Sequence, residues 1–236
     1  MADNGRDLLA RERLRLNDLI TNTSNRLLIC MCIDTSYSML QENRIDHVNK
    51  AVRDDLIEQC KNNIYAADSV EVCIVTFGGK ARVVQNFANV KDVKFKDLEV
   101  DGDTPLGEAV MLAMNLIKER QAQFDDFGIS GFKPWLIIMS DGAATDDISF
   151  AKARVKEAVE RNELKIMCID MSNGGETSLS EFTPNGGLPI DALKIEDFFS
   201  MLSRAAASMS TAAPGEDEFM NDILTNDERE KLRERK

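Results

Sequence analysis

The sequence predicts a doubly wound α/β domain. Three observations carry that prediction: continuously apolar runs that stop at polar residues, intervening stretches with apolar residues at three- and four-residue steps, and a Gly-Gly turn after the second run. Leu27 to Ile33 is apolar at every position and ends at Asp34, the pattern of a strand buried on both faces of a parallel sheet. Ile45, Val48, Val52, Leu56, Cys60 and Ile64 then predict one helix. Val70 to Phe77 is a second buried strand. Gly78-Gly79 turns the chain, and Ala81 to Phe87 returns as a shorter antiparallel edge strand.

Polar, irregular Asn89 to Gly102 leads to Thr104-Pro105, a helix-start signal, and Leu106, Val110, Met114 and Ile117 carry that helix to about Gln121. Trp135 to Met139 is a further buried strand that ends at Ser140-Asp141-Gly142. A helix over Ile148 to Arg161, a strand over Lys165 to Met171, a brief sheet edge near Leu188 to Leu193 and a helix over Ile195 to Ser208 complete the alternation. Residues 26–209 therefore form the domain. Residues 1–25 form an arm with a short amphipathic helix over Asp7 to Ile20, and residues 210–236 form a charged tail, mobile or docking. Its acidic stretch, Glu216 to Asp222, reads first as solvated. The sharper expectation is that one of its carboxylates reaches a neighbouring molecule, anchored by Phe219 and Met220.

Composition narrows the function. Of 236 residues, 43% are hydrophobic and 30% charged, the mix of an ordinary globular domain. A net charge of −12 argues against nucleic-acid binding, which relies on clustered Lys and Arg. No apolar run approaches the ~20 residues that span a bilayer, and the charged N-terminus lacks a secretory signal. Five cysteines, an odd count with no CxxC spacing, read as reduced core residues. The expected setting is the cytoplasm, with no membrane partner.

Three polar segments interrupt the pattern. Asp34-Thr35-Ser36-Tyr37-Ser38 follows the first strand, Gly102-Asp103-Thr104-Pro105-Leu106-Gly107 opens a helix, and Ser140-Asp141-Gly142 follows another strand. Ligands of open α/β sheets bind beyond the carboxyl ends of strands, where the strand order reverses, so all three segments can converge there. Asp34 and Asp141 offer carboxylates, while Ser36, Ser38 and Thr104 offer hydroxyls. An all-oxygen set suits a hard cation, Mg²⁺ first, with Mn²⁺ or Ca²⁺ as alternatives. Neutral hydroxyls leave such an ion electrophilic, with a place for a carboxylate from outside. Taken singly, the same residues also read as a capped strand-to-helix turn, and Thr104 as a plain N-cap. Asp146 and Asp147 read as helix caps, and His47, the only histidine, as a partly buried or solvated helix residue.

Asp34-Thr35-Ser36-Tyr37-Ser38-Met39, Thr104-Pro105-Leu106-Gly107-Glu108-Ala109 and Ser140-Asp141-Gly142 resemble, in order, the metal-ion-dependent adhesion site of von Willebrand factor A domains. The resemblance covers about Arg26 to Ala207. It implies a mostly parallel six-stranded sheet with one antiparallel edge strand and helices on both faces. It also implies metal ligation by Asp34, Ser36, Ser38, Thr104 and Asp141, some of it through water. The D-T-S-x-S-M, D-T-P-L-G-E-A and S-D-G-x-x-T-D-D strings are most similar to small bacterial cytoplasmic members associated with tellurite resistance. That likeness implies a stress-response or signalling complex; the chain is expected to be a non-enzymatic interaction module there, since no plausible nucleophile or general base accompanies the ion. Its expected partner is a protein supplying an Asp or Glu carboxylate, with kinase or phosphatase components as candidates. Tyr37 and Asp103 stand where the family often has Gly, which puts a ring beside the ion and adds negative charge near it. Two alternatives stay open: a Mg²⁺-dependent phosphate-ester hydrolase, and a domain whose ion is only structural.

Overall fold

The computed structural model describes residue 13, residues 16–183, residues 187–212 and residues 223–233. The acidic stretch from Glu216 to Asp222, with Phe219 and Met220, and much of the N-terminal amphipathic segment lie outside the described residues. Six strands form one sheet: β1 (Leu27–Asp34), β2 (Val70–Gly78), β3 (Lys80–Asn89), β4 (Trp135–Ser140), β5 (Lys165–Asp170) and β6 (Leu188–Pro189). Their order is β3-β2-β1-β4-β5-β6, parallel throughout except for the antiparallel β2–β3 pair. The doubly wound α/β prediction thus holds, antiparallel edge included.

Continuous hydrophobicity in the central strands has a direct cause. In β1, Leu27, Ile29, Met31 and Ile33 face one apolar layer, while Leu28, Cys30 and Cys32 face the other. The first layer includes Val48, Val52, Phe198, Phe199 and Leu202, and the second includes Val110, Ala113 and Ile117. With both faces covered, no position is left for a polar alternation. All five cysteines are free and buried, and burial pushes the Cys60 and Cys168 thiols up to about 12. No described helix is long and apolar enough to cross a membrane.

Three expectations need correction. The predicted Ile45–Ile64 helix is an α-helical start, α1 (Arg44–Lys50), a π-helical stretch (Ala51–Glu58) and an α-helical end, α2 (Gln59–Asn62). Asn63 breaks it with extended backbone and caps α3 (Ile64–Ser69) by accepting from the Tyr65 and Ala66 amides, both at 3.0 Å. Ile64 is consequently 73% exposed and outside the apolar stripe. The helix α4 (Leu106–Phe127) overruns Gln121 because Phe124, seven residues after Ile117, extends the same buried face; Gly128, with φ of 66°, ends it. β3 is longer than expected, running to Asn89 across register shifts opposite Val72 to Val75, which relieve a flat edge.

Helices α5 (Ser149–Glu160) and α6 (Ile195–Ser210) follow β4 and β6, and α7 (Asn226–Arg233) lies near the C-terminus. Ile223, Leu224 and Leu232 are buried in the same apolar layer as α6, so this stretch packs on the domain. Residues 16–21 are helical, with Leu19 buried and Leu16 and Ile20 exposed.

The one full charge inside β2 is Glu71, which accepts from the Nε and Nη2 of Arg120 on α4, both at 2.7 Å. Both side chains are almost wholly removed from solvent. Deleting one member strands the other, so Arg120→Met is expected to destabilise the domain by about 3–5 kcal/mol in urea unfolding. Glu71→Leu combined with Arg120→Met should recover most of that loss, because no unpaired charge remains.

The loops beyond the strands are tied together by backbone. Thr35 donates to the Phe77 carbonyl at 3.1 Å and accepts from the Asp101 amide at 2.7 Å, while Gly79 donates to the Asp103 carbonyl at 2.8 Å. Gly78 lies at this crossing, where a Cβ would stand 2.2 Å from the Asp101 oxygen and 2.6 Å from the Thr35 oxygen. Gly78→Ala is therefore expected to cost about 1–3 kcal/mol. Thermal unfolding checks it, and a stability equal to the parent would contradict this close approach.

Candidate metal centre

The order reversal places β1 beside β4, with the carboxyl ends of both strands opening on the same crevice. Asp34 is the last residue of β1, and Asp141 follows the last residue of β4. Asp34 is buried. Its Oδ1 accepts from the Ser36 amide at 2.8 Å and its Oδ2 from the Ser140 hydroxyl at 2.5 Å. Burial raises its carboxyl to about 6, against the opposing effect of these hydrogen bonds. The Ser36 and Ser38 hydroxyl oxygens stand 2.9 Å apart, and Ser38 donates to Asp141 Oδ1 at 2.6 Å. Four of the five predicted side chains thus belong to one contiguous group that joins residues over a hundred positions apart.

Thr104 comes to the same loops through its backbone. Its carbonyl accepts from the Thr145 amide at 2.9 Å, and the neighbouring Gly102 carbonyl accepts from the Tyr37 amide at 3.3 Å. The Thr104 side chain does not cap α4. That role falls to Asp146, whose carboxylate accepts from the Gly107 amide at 3.0 Å and the Glu108 amide at 2.8 Å. Of the two aspartates that read as caps of the following helix, Asp147 accepts from the Ser149 amide at 2.8 Å at that helix's start, whereas Asp146 serves α4 instead. By clamping α4 to the Asp141 loop, Asp146 sets the distance between two of the three polar segments.

Arg44, the first residue of α1, is a member that sequence reasoning missed. Its Nη1 donates to Asp141 Oδ2 at 2.6 Å and its Nη2 to Glu42 Oε2 at 3.2 Å. Glu42 in turn accepts from Asn173 at 2.7 Å. Glu42 and Asn43 both adopt left-handed φ, 52° and 51°, a kink that turns Arg44 inward. A basic residue at a helix start runs against the macrodipole, and that mismatch was the available signal.

The donor set fits a hard dication. Among the described residues no group of three or more His, Cys, Asp or Glu gathers as a metal cluster, so a site here rests on two carboxylates and hydroxyls. His47, the only histidine, stands 4.0 Å from Glu196, and the cysteines are buried among apolar residues. Tyr37 and Leu40, close in sequence to Ser36 and Ser38, are 63% and 56% exposed.

Comparison with known proteins agrees with this geometry. Residues 29–143 match the family model of the von Willebrand factor type A domain, a span that begins in β1 and ends just after Asp141. No curated protein matches the sequence. Among solved structures, the chain is similar to the pilus adhesin SpaC of Lactobacillus rhamnosus GG in an open conformation, with TM-score 0.61 and 12% identity. The match covers 80% of this chain and 31% of the adhesin. It is also similar to proximal thread matrix protein 1 from the mussel byssus, in a form with a zinc-occupied MIDAS motif. There the TM-score is 0.51 and the identity 12%, over 79% of this chain and 49% of that one. The chain therefore spans less than half the length of either neighbour, and at this identity the likeness is one of fold. The matched segment is thus similar to a von Willebrand factor type A domain, and the solved structures share its fold.

Proposed function

We propose that this domain is a divalent-cation-dependent protein-interaction module. In this reading Asp34, Ser36, Ser38, Thr104 and Asp141 hold the ion, and a partner protein brings an Asp or Glu carboxylate to it. The observation that carries the reading is the hydrogen-bonded chain Ser36–Ser38–Asp141, which gathers oxygen donors from β1 and β4 at the point where strand order reverses. The ion, when bound, supplies an electrophilic point for the incoming carboxylate. The protein supplies orientation. The Ser36 amide and Ser140 hydroxyl hold Asp34, Ser38 and Arg44 hold opposite oxygens of Asp141, and exposed Tyr37 offers an aromatic surface at the rim. Solved neighbours that are adhesive or matrix proteins, one with a metal-occupied site of this kind, support the same reading.

Mg²⁺ is the proposed ion, since a small set of oxygen donors with water completing the shell is its usual environment. Likeness to the tellurite-resistance-associated members supports a cytoplasmic stress-response or signalling role with kinase or phosphatase components as partners.

Two measurements test the proposal. At an ion concentration about 100 times its Kd, Mg²⁺ is expected to stabilise the folded protein by about 2.7 kcal/mol, and Asp34→Ala and Asp141→Ala should each abolish that gain. A purified Glu-containing peptide selected for binding is expected to bind only with the ion present and to be released by EDTA. Binding that survives both EDTA and Asp141→Ala in a folded protein would reduce the ion to a structural element.

A further inference from the structure

We propose that Arg44 is an internal counter-ion that sets the ligand specificity of the centre, making tight cation binding depend on the simultaneous arrival of a carboxylate. The inference rests on the reading that the centre binds a dication, and concerns how that binding is regulated.

The physical case begins with charge. Asp34 and Asp141 are buried acids, and the Arg44 guanidinium, only 7% exposed, sits on Asp141 Oδ2 at 2.6 Å. Glu42, on the far side of Arg44, is 57% exposed, so solvent screens its contribution. With both acids ionised, two negative charges and one positive leave the interior of the site with a single negative charge. A dication then overshoots neutrality by one positive charge, which an incoming carboxylate removes. Without Arg44 the two aspartates would neutralise the ion by themselves, and a third carboxylate would meet no net attraction. Arg44 thus weakens binding of the bare ion and strengthens binding of the ion with an anionic ligand.

The geometry supports a counter-ion rather than a permanent brace. Arg44 grips only one oxygen of Asp141, leaving Oδ1 with Ser38 in the donor chain. Its Nε–H is buried without a hydrogen-bond partner, so the guanidinium is incompletely satisfied where it lies. Its second anchor, Glu42, is at the surface and offers a direction in which the side chain can shift. A brace would be expected to have its donors fully paired, as Arg120 has both Nε and Nη2 on Glu71.

The test compares the full chain with Arg44→Gln. Mn²⁺ affinity is measured by calorimetry, alone and with saturating acetate as the carboxylate probe, alongside melting curves with and without the metal. Arg44→Gln is expected to bind Mn²⁺ alone on the order of tenfold more tightly than the parent and to show a larger metal-induced rise in Tm. Acetate should tighten Mn²⁺ binding in the parent and should not do so in the variant. Folding of the variant only when Mn²⁺ is present also supports the proposal. Equal or weaker Mn²⁺ binding, or undiminished acetate enhancement, overturns it. If Arg44→Gln folds in neither condition, Arg44→Lys takes its place: it keeps the positive charge, so Mn²⁺ affinity and acetate enhancement close to the parent's are expected, and loss of the enhancement is the negative result. A parent protein that binds no Mn²⁺ defeats the metal-centre reading itself; a parent that binds Mn²⁺ with Arg44→Gln indistinguishable defeats only the role of Arg44.

Discussion

Two carboxylates buried at the ends of adjacent strands repel one another and lose hydration, and much of the surrounding architecture answers that strain. Asp34 accepts from an amide and a hydroxyl, and Asp141 from a hydroxyl and a guanidinium. Each oxygen therefore faces a donor, which is what allows acids to sit where the core would otherwise exclude them. The sheet makes the arrangement unavoidable. β1 and β4 are parallel neighbours in register from Ile29 with Trp135 to Ile33 with Met139, so Asp34 and Ser140 emerge side by side, with Asp141 one position further on.

Rigidity below the crevice matters as much as the donors within it. β1 is buried along its full length, and the loops above it are cross-tied by backbone hydrogen bonds at Thr35, Gly79, Asp101 and Thr104. Gly78 permits those loops to approach, and Asp146 pins α4 to the loop that carries Asp141. Side chains held in this way lose little further freedom when a ligand arrives, which favours tight recognition by few contacts. The exposed ring of Tyr37 and the exposed Leu40 then provide apolar surface beside a strongly polar centre, a combination suited to a protein ligand.

Arg44 changes how such a centre is understood. Donor atoms alone describe what can touch an ion; the net charge of the buried shell decides what else must come with it. One guanidinium against two carboxylates makes the centre responsive to an anion, and the surface position of Glu42 and Asn173 connects that response to the rim near β5.

The sequence alone determined the layered α/β architecture, because strands covered on both faces and helices covered on one leave periodicities that no other packing satisfies. It also singled out Asp34, Ser36, Ser38 and Asp141 as candidate ligands, since polar residues that halt an apolar strand are conspicuous, and Thr104 as a polar residue at a helix start. Local rules misled where periodicity continued by coincidence, as at Ile64, and where caps crossed between elements, as with Asp146 on α4. The partners of Arg44 and the Glu71–Arg120 pair were beyond reach for a further reason. A charged residue in a helix is ordinarily solvated, and only the packed structure, by bringing an acid from a distant strand to within hydrogen-bonding distance, turns it into a buried partner.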